Sequence, residues 1–127
     1  MNKVGKVFVA TLLALTGTAA QAGTVVCGGT IEVLNFDSTN AGGGTLSIKL
    51  STMNTTVYFC DTESAFTAPG NSYSIAPSTC RTMYATFLAA KASGQSLSNV
   101  YFDGSSVPTS CSGWTAWQAA NIRHYEY

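Results

Sequence analysis

Charged side chains are scarce, making up 9 % of the chain. Two of the six Lys and Arg residues, Lys3 and Lys6, fall at the very start. After residue 22, Lys49, Arg81, Lys91 and Arg123 face six acidic residues, a formal balance of −2. Phosphate binding needs clustered Lys and Arg, so this balance argues against a nucleic-acid partner. Histidine occurs once, at position 124, and no two cysteines are spaced Cys-x-x-Cys. That argues against a metal centre, and no cofactor is expected. There is no G-x-S-x-G elbow. The carboxylates are few and dispersed, whereas glycoside cleavage takes a facing pair from separate elements. His124 shares a strand face with Glu126, since residues i and i+2 point the same way. Without a nucleophile the pair reads as ordinary strand chemistry, and no enzyme is expected. Outside Val7 to Leu15 no long apolar run exists, and that one is too short to span a bilayer.

The first 22 residues have the tripartite pattern of a secretory leader. Lys3 and Lys6 form the basic part, Val7 to Leu15 the apolar part, and Ala20-Gln21-Ala22 a small-x-small cleavage site. The reading is a signal peptide at 1–22, then one domain at 23–127 that is secreted or periplasmic, with no integral membrane segment. Cys27, Cys60, Cys80 and Cys111 all lie in that domain. An even count in a small exported chain predicts two disulfides, and the residues leave three pairings open. With so little charge, the surface must be built from Ser, Thr, Asn and Gly, which suits neutral or hydroxyl-rich partners.

Periodicity then orders the chain. Thr24 to Phe36 reads as a long first strand, with Gly28-Gly29 marking a bulge or sharp bend. Asp37 to Gly44 is a turn by composition. Thr45 to Leu50 alternates cleanly, and Thr55 to Cys60 is β-branched and aromatic. Asp61 to Pro77 is a polar loop, long enough to suggest function or stapling. Ser78 to Gly94 is an amphipathic helix with Ser78 as N-cap. Its expected apolar stripe is Cys80, Met83, Tyr84, Phe87 and Leu88. Gly94 closes it in the left-handed conformation. Leu97 to Asp103 is a fourth strand, Ser105 to Ala120 irregular, and Asn121 to Tyr127 a final strand.

The order β-β-β-α-β-β predicts a mainly β fold: a five-stranded OB-fold barrel with one helix between strands 3 and 4. The alternative is an open antiparallel sheet with a helix on one side.

Trp114 and Trp117 lie three apart near the C-terminus. Aromatic rings can pack on the apolar faces of sugars, although Trp in a small domain more often belongs to the core. Tyr73, Asp61 and Glu63 belong to the long polar loop, where carboxylates and hydroxyls could hydrogen-bond a glycan.

One set of residues resembles a known family. Tyr58-Phe59-Cys60, a polar loop, Cys80, a helix carrying Tyr84 and Leu88, Gly94-Gln95, a strand with Tyr101, and a later Cys111 are similar in order to B subunits of pertussis-like AB5 toxins, of the subtilase cytotoxin and typhoid toxin type. The resemblance covers roughly Val57 to Cys111. It implies an OB-fold, a Cys60–Cys80 bridge, and hence Cys27–Cys111 for the remaining pair. It implies a ring of five protomers, a sialylated or other host glycan as ligand, and an association with a toxin A subunit. In that family a serine of the first strand contacts the sugar. Here Gly29 falls at that position with Thr30 beside it, so the contact itself does not carry over. The expected function is an exported, non-catalytic, glycan-binding B-type subunit. The alternatives are an OB-fold module that binds or inhibits an envelope protein without a sugar ligand and, third, a small hydrolase.

Overall fold

A computed structural model describes residues 22–39 and 43–127. Apart from Ala22, the expected leader lies outside the described residues, as does the middle of the Asp37 to Gly44 turn. The fold is mainly β: a curled, half-barrel sheet with one helix and two disulfides. Its elements are β1 (Gly23–Asp37), β2 (Thr45–Leu50), β3 (Val57–Asp61), α1 (Pro77–Ser93), β4 (Ser96–Gly104), β5 (Gln118–Ala119) and β6 (Asn121–Glu126). The sheet order is β5-β3-β2-β1-β4-β6.

The long first strand makes the curl. Its first half pairs antiparallel with β4 and its second half with β2. The register shifts between Cys27 and Gly29, and again between Ile31 and Val33. At the first shift β4 covers three residues, Val100 to Leu97, against two in β1; at the second Glu32 is the extra residue in β1, and each irregularity bends the pair locally. The glycine pair is what permits the first bend. A side chain at Gly28 would put Cβ 2.4 Å from the Ser98 carbonyl oxygen, and Gly29 has φ +124°.

Six strands replace the five expected. The extra one, β5, pairs in parallel with β3 through Val57–Gln118 and Tyr58–Ala119. The Ala120 N–H then donates to the Tyr58 carbonyl at 3.0 Å before the chain passes on to pair with β4. So one stretch, 118–126, contacts both ends of the sheet order.

The core lies inside the curl. Leu46, Ile48, Leu50, Val57, Phe59, Val100 and Phe102 are fully buried. The helix covers the open side with Cys80, Met83, Phe87 and Ala90. Phe87 meets Phe59 and Tyr125 edge-on, at centroid distances of 5.6 and 4.9 Å. Two helix expectations are corrected. Leu88 is 48 % exposed and leaves the apolar stripe to Ala90. The N-cap is Ala76, not Ser78, and makes no side-chain cap. Pro77 occupies the first turn, where its missing N–H needs no acceptor. At the other end Gly94 has φ 69° and ends the helix as expected. Lys91 reaches back to β1, donating to the carbonyls of Ile31 and Glu32 at 3.3 and 2.7 Å.

The bridges are Cys60–Cys80 and Cys27–Cys111, the pairing that the resemblance implies. The first ties β3 to the first turn of α1. The second ties the irregular stretch before β5 to β1. Among the described residues, no helix is long and apolar enough to cross a membrane. Two disulfides are compatible with a secreted or periplasmic protein.

Candidate functional site: an exposed aromatic platform

The six residues proposed from the sequence do not converge. Thr30 lies just past the first bulge, where its N–H donates to the Ser51 hydroxyl at 3.2 Å. Asp61 ends β3 and is buried. Its carboxylate accepts the N–H groups of Glu63 and Ser64 at 2.7 and 2.9 Å and the Thr45 hydroxyl at 3.3 Å. Burial pushes the Asp61 pKa up, but these donors outweigh it and hold the pKa below the ordinary carboxylate value. Asp61 therefore shapes its own turn and presents little to a ligand. Glu63 is exposed and faces Arg81 at 3.5 Å.

Tyr73 is half-buried and donates to Asp103 Oδ2 at 2.8 Å. Burial, then that acceptor, raises its pKa well above the usual tyrosine value. Asp103 also accepts from Thr24 at 2.6 Å and pairs with Arg123 at 3.3 Å. This polar cluster secures the start of β1 and the 70–73 loop to β4. Tyr73 also borders an apolar groove of about 510 Å³ between α1 and β6, floored by Ile75, Met83, Ile122 and Tyr125. His124 Nε2 lies 3.1 Å from Glu126 Oε1 on the exposed side of β6. Among the described residues, no cluster of three or more His, Cys, Asp or Glu could hold a metal ion.

The two tryptophans part company. Trp114 is 3 % exposed and meets Phe102 edge-on, so it belongs to the core and not to a ligand surface. The Asn54 side chain fixes its backbone from both sides, donating to the Trp114 carbonyl at 2.7 Å and accepting its N–H at 2.9 Å. Trp117 is 56 % exposed. It is also the sole non-glycine residue with positive φ among those described, at 62°. That conformation costs a residue other than glycine about 1 kcal/mol or more. It is held in place because the Trp117 N–H donates to the Thr56 carbonyl at 3.1 Å, just before the chain enters β5.

The result is a platform on the outer face of the sheet. The Trp117 ring packs on Tyr58 at 5.6 Å, tilted by 34°. Tyr58 and Asn35 both pair with Ser47, from either side, so the three share one face. Phe36, 53 % exposed, and Asp37 complete the rim. Trp117, Asn35, Phe36, Asp37 and Ser47 border a shallow pocket of about 360 Å³, and Tyr58 lies under the Trp117 edge of it. The Asp37 carboxylate is oriented at one end: Oδ1 accepts the Thr39 hydroxyl and N–H at 2.6 and 2.8 Å. Oδ2 has one long contact, from the Tyr58 hydroxyl at 3.4 Å. The Thr39 hydroxyl and N–H lower the Asp37 pKa below the ordinary carboxylate value, so it is ionised at neutral pH. The arrangement is an exposed aromatic surface beside a fixed acceptor with open lone pairs, the combination that binds a ligand with one apolar face and a hydroxyl-bearing edge.

The chain matches no known protein family, curated protein or solved structure.

Proposed function

We propose that the protein is an exported, non-catalytic glycan-binding subunit, of the B type seen in pertussis-like AB5 toxins. Its sugar site is the Trp117 platform. The observation that carries this is Trp117 itself, a large apolar ring held outside the core at a left-handed backbone position and stacked on Tyr58. Strain kept at an exposed residue is a pointer to function. The fold we propose is the OB-fold. Supporting it are a first strand shared between β2 and β4, a helix between β3 and β4, and a last segment pairing with both β3 and β4. The two disulfides support the exported location.

The test has two arms. Glycan binding by calorimetry should fall about tenfold or more in Trp117→Ala, which corresponds to about 1.4 kcal/mol. Light scattering on the oxidised protein should return five times the protomer mass. A strict monomer at micromolar concentration would remove the ring and leave the sugar site standing. A second reading, a module that engages an envelope protein without a sugar, is favoured by the apolar groove beside Met83, Ile122 and Tyr125. It gains if no glycan binds.

A further inference from the structure

We propose that the Trp117 platform takes neutral, hydroxyl-bearing sugars and rejects anionic ones such as sialylated, sulphated or uronic-acid glycans. This deepens the glycan-binding reading and rests on it.

The charges around the site carry the inference. A glycan carboxylate or sulphate is bound by a cation or by convergent N–H donors, because leaving it unpaired against protein costs its hydration. Among the described residues no Lys, Arg or His borders the platform's pocket, while the Asp37 carboxylate does. The basic side chains of the described residues are held elsewhere. Arg81 faces Glu63 at 3.5 Å, on the helix. Lys91 is spent on the carbonyls of Ile31 and Glu32. Arg123 pairs with Asp103 at 3.3 Å and lies over the Tyr101 ring. His124 contacts Glu126, also on β6.

Lys49 is the nearest by strand position, two residues beyond Ser47 and on the same face. Its ammonium pairs with Glu32. Register places Lys49 opposite Val33, so Glu32 lies further from Asn35 than Val33 does. That pair draws the lysine away from Trp117. The undescribed residues of the adjoining turn are Asn40, Ala41 and Gly42, which bring no charge. Of the remaining basic residues, Lys3 and Lys6 belong to the expected leader.

What the platform does offer fits a neutral pyranose. Its C–H face can lie on the Trp117 indole. Its edge hydroxyls can donate to Asp37 Oδ2, a charge-assisted bond stronger than a neutral one. The Asn35 amide, which both donates and accepts, lies on the same face as Ser47 and Tyr58. An anionic sugar seated the same way would bring like charge toward Asp37 with no counter-ion beside it.

Tryptophan emission gives a direct readout. The chain has two tryptophans, and Trp114 is buried, so a ligand-induced shift reports on Trp117. Neutral oligosaccharides ending in galactose, glucose or N-acetylhexosamine are titrated beside their sialylated counterparts. We expect at least one neutral sugar to shift the emission and bind at least tenfold more tightly than its sialylated form. Asp37→Ala should weaken that neutral sugar about tenfold, and near-ultraviolet circular dichroism checks that the variant is folded. A sialylated form that binds more tightly than its neutral parent, and loses binding in Trp117→Ala, would overturn the neutral specificity and leave glycan binding intact. Emission and calorimetry unmoved by every sugar would overturn both.

Discussion

At residue scale the left-handed position of Trp117 reverses a usual expectation. Replacing an exposed residue by glycine normally costs more than replacing it by alanine, because glycine loses more freedom on folding. At φ 62° the order inverts, since alanine keeps the backbone strain and glycine does not. Both substitutions lose the ring that packs on Tyr58. We therefore expect Trp117→Gly to be more stable than Trp117→Ala by about 1 kcal/mol, read from urea denaturation. An alanine variant as stable as the glycine one would mean that position 117 is not held left-handed in solution.

Tyr73 carries a second residue-scale prediction. Its pKa is raised in the folded state by burial and by the Asp103 acceptor. The neutral hydroxyl is therefore favoured by folding. Its stabilisation is complete below the unfolded tyrosine pKa of about 10 and is lost as pH rises above that. Absorbance of the phenolate should show one tyrosine titrating only as the protein unfolds in alkali. In Tyr73→Phe that delayed step should vanish.

At the scale of elements, the helix is held on the sheet by three different means. Phe87 packs between Phe59 and Tyr125, Lys91 reaches the β1 carbonyls, and Cys80 is bridged to Cys60. The bridge closes a sequence separation of 20. In the chain-entropy model a loop of that size contributes about 3 kcal/mol. Cys60→Ala with Cys80→Ala should lower stability by about that amount in chemical denaturation. The platform is on the opposite face of the sheet from the helix, so affinity for a bound sugar should change less than twofold. A large loss of affinity would show that α1 positions the outer face as well.

At the scale of the whole molecule, the sequence made the order of elements readable, since Leu46, Ile48 and Leu50 alternate and the helix ends at a glycine. It could not reveal β5. Gln118 and Ala119 pair through the backbone alone, and two residues give no period to detect. The site was legible only through Trp117, an aromatic in an irregular stretch. Tyr58 reads as core until register sets it beside Ser47 on the outer face. Asp37 reads as turn polarity until Thr39 is seen to orient it. Asp61 failed the other way: its polar loop suggested a ligand, but its own backbone consumes the carboxylate. The disulfide partners came from resemblance, because four cysteines alone allow three pairings.

The shared first strand has a consequence for synthesis. β1 leaves the ribosome first among the strands, yet its first half waits for β4, and β3 waits for β5. The β2 half of β1 and the β2–β3 pair can close early, but the Val25 half of β1 stays open until β4 has emerged, and both sheet edges until 118–126 have. Pulse-labelled amides of the first half of β1 should gain protection only in chains extending through β4, and protection in a chain stopped after α1 would refute that order.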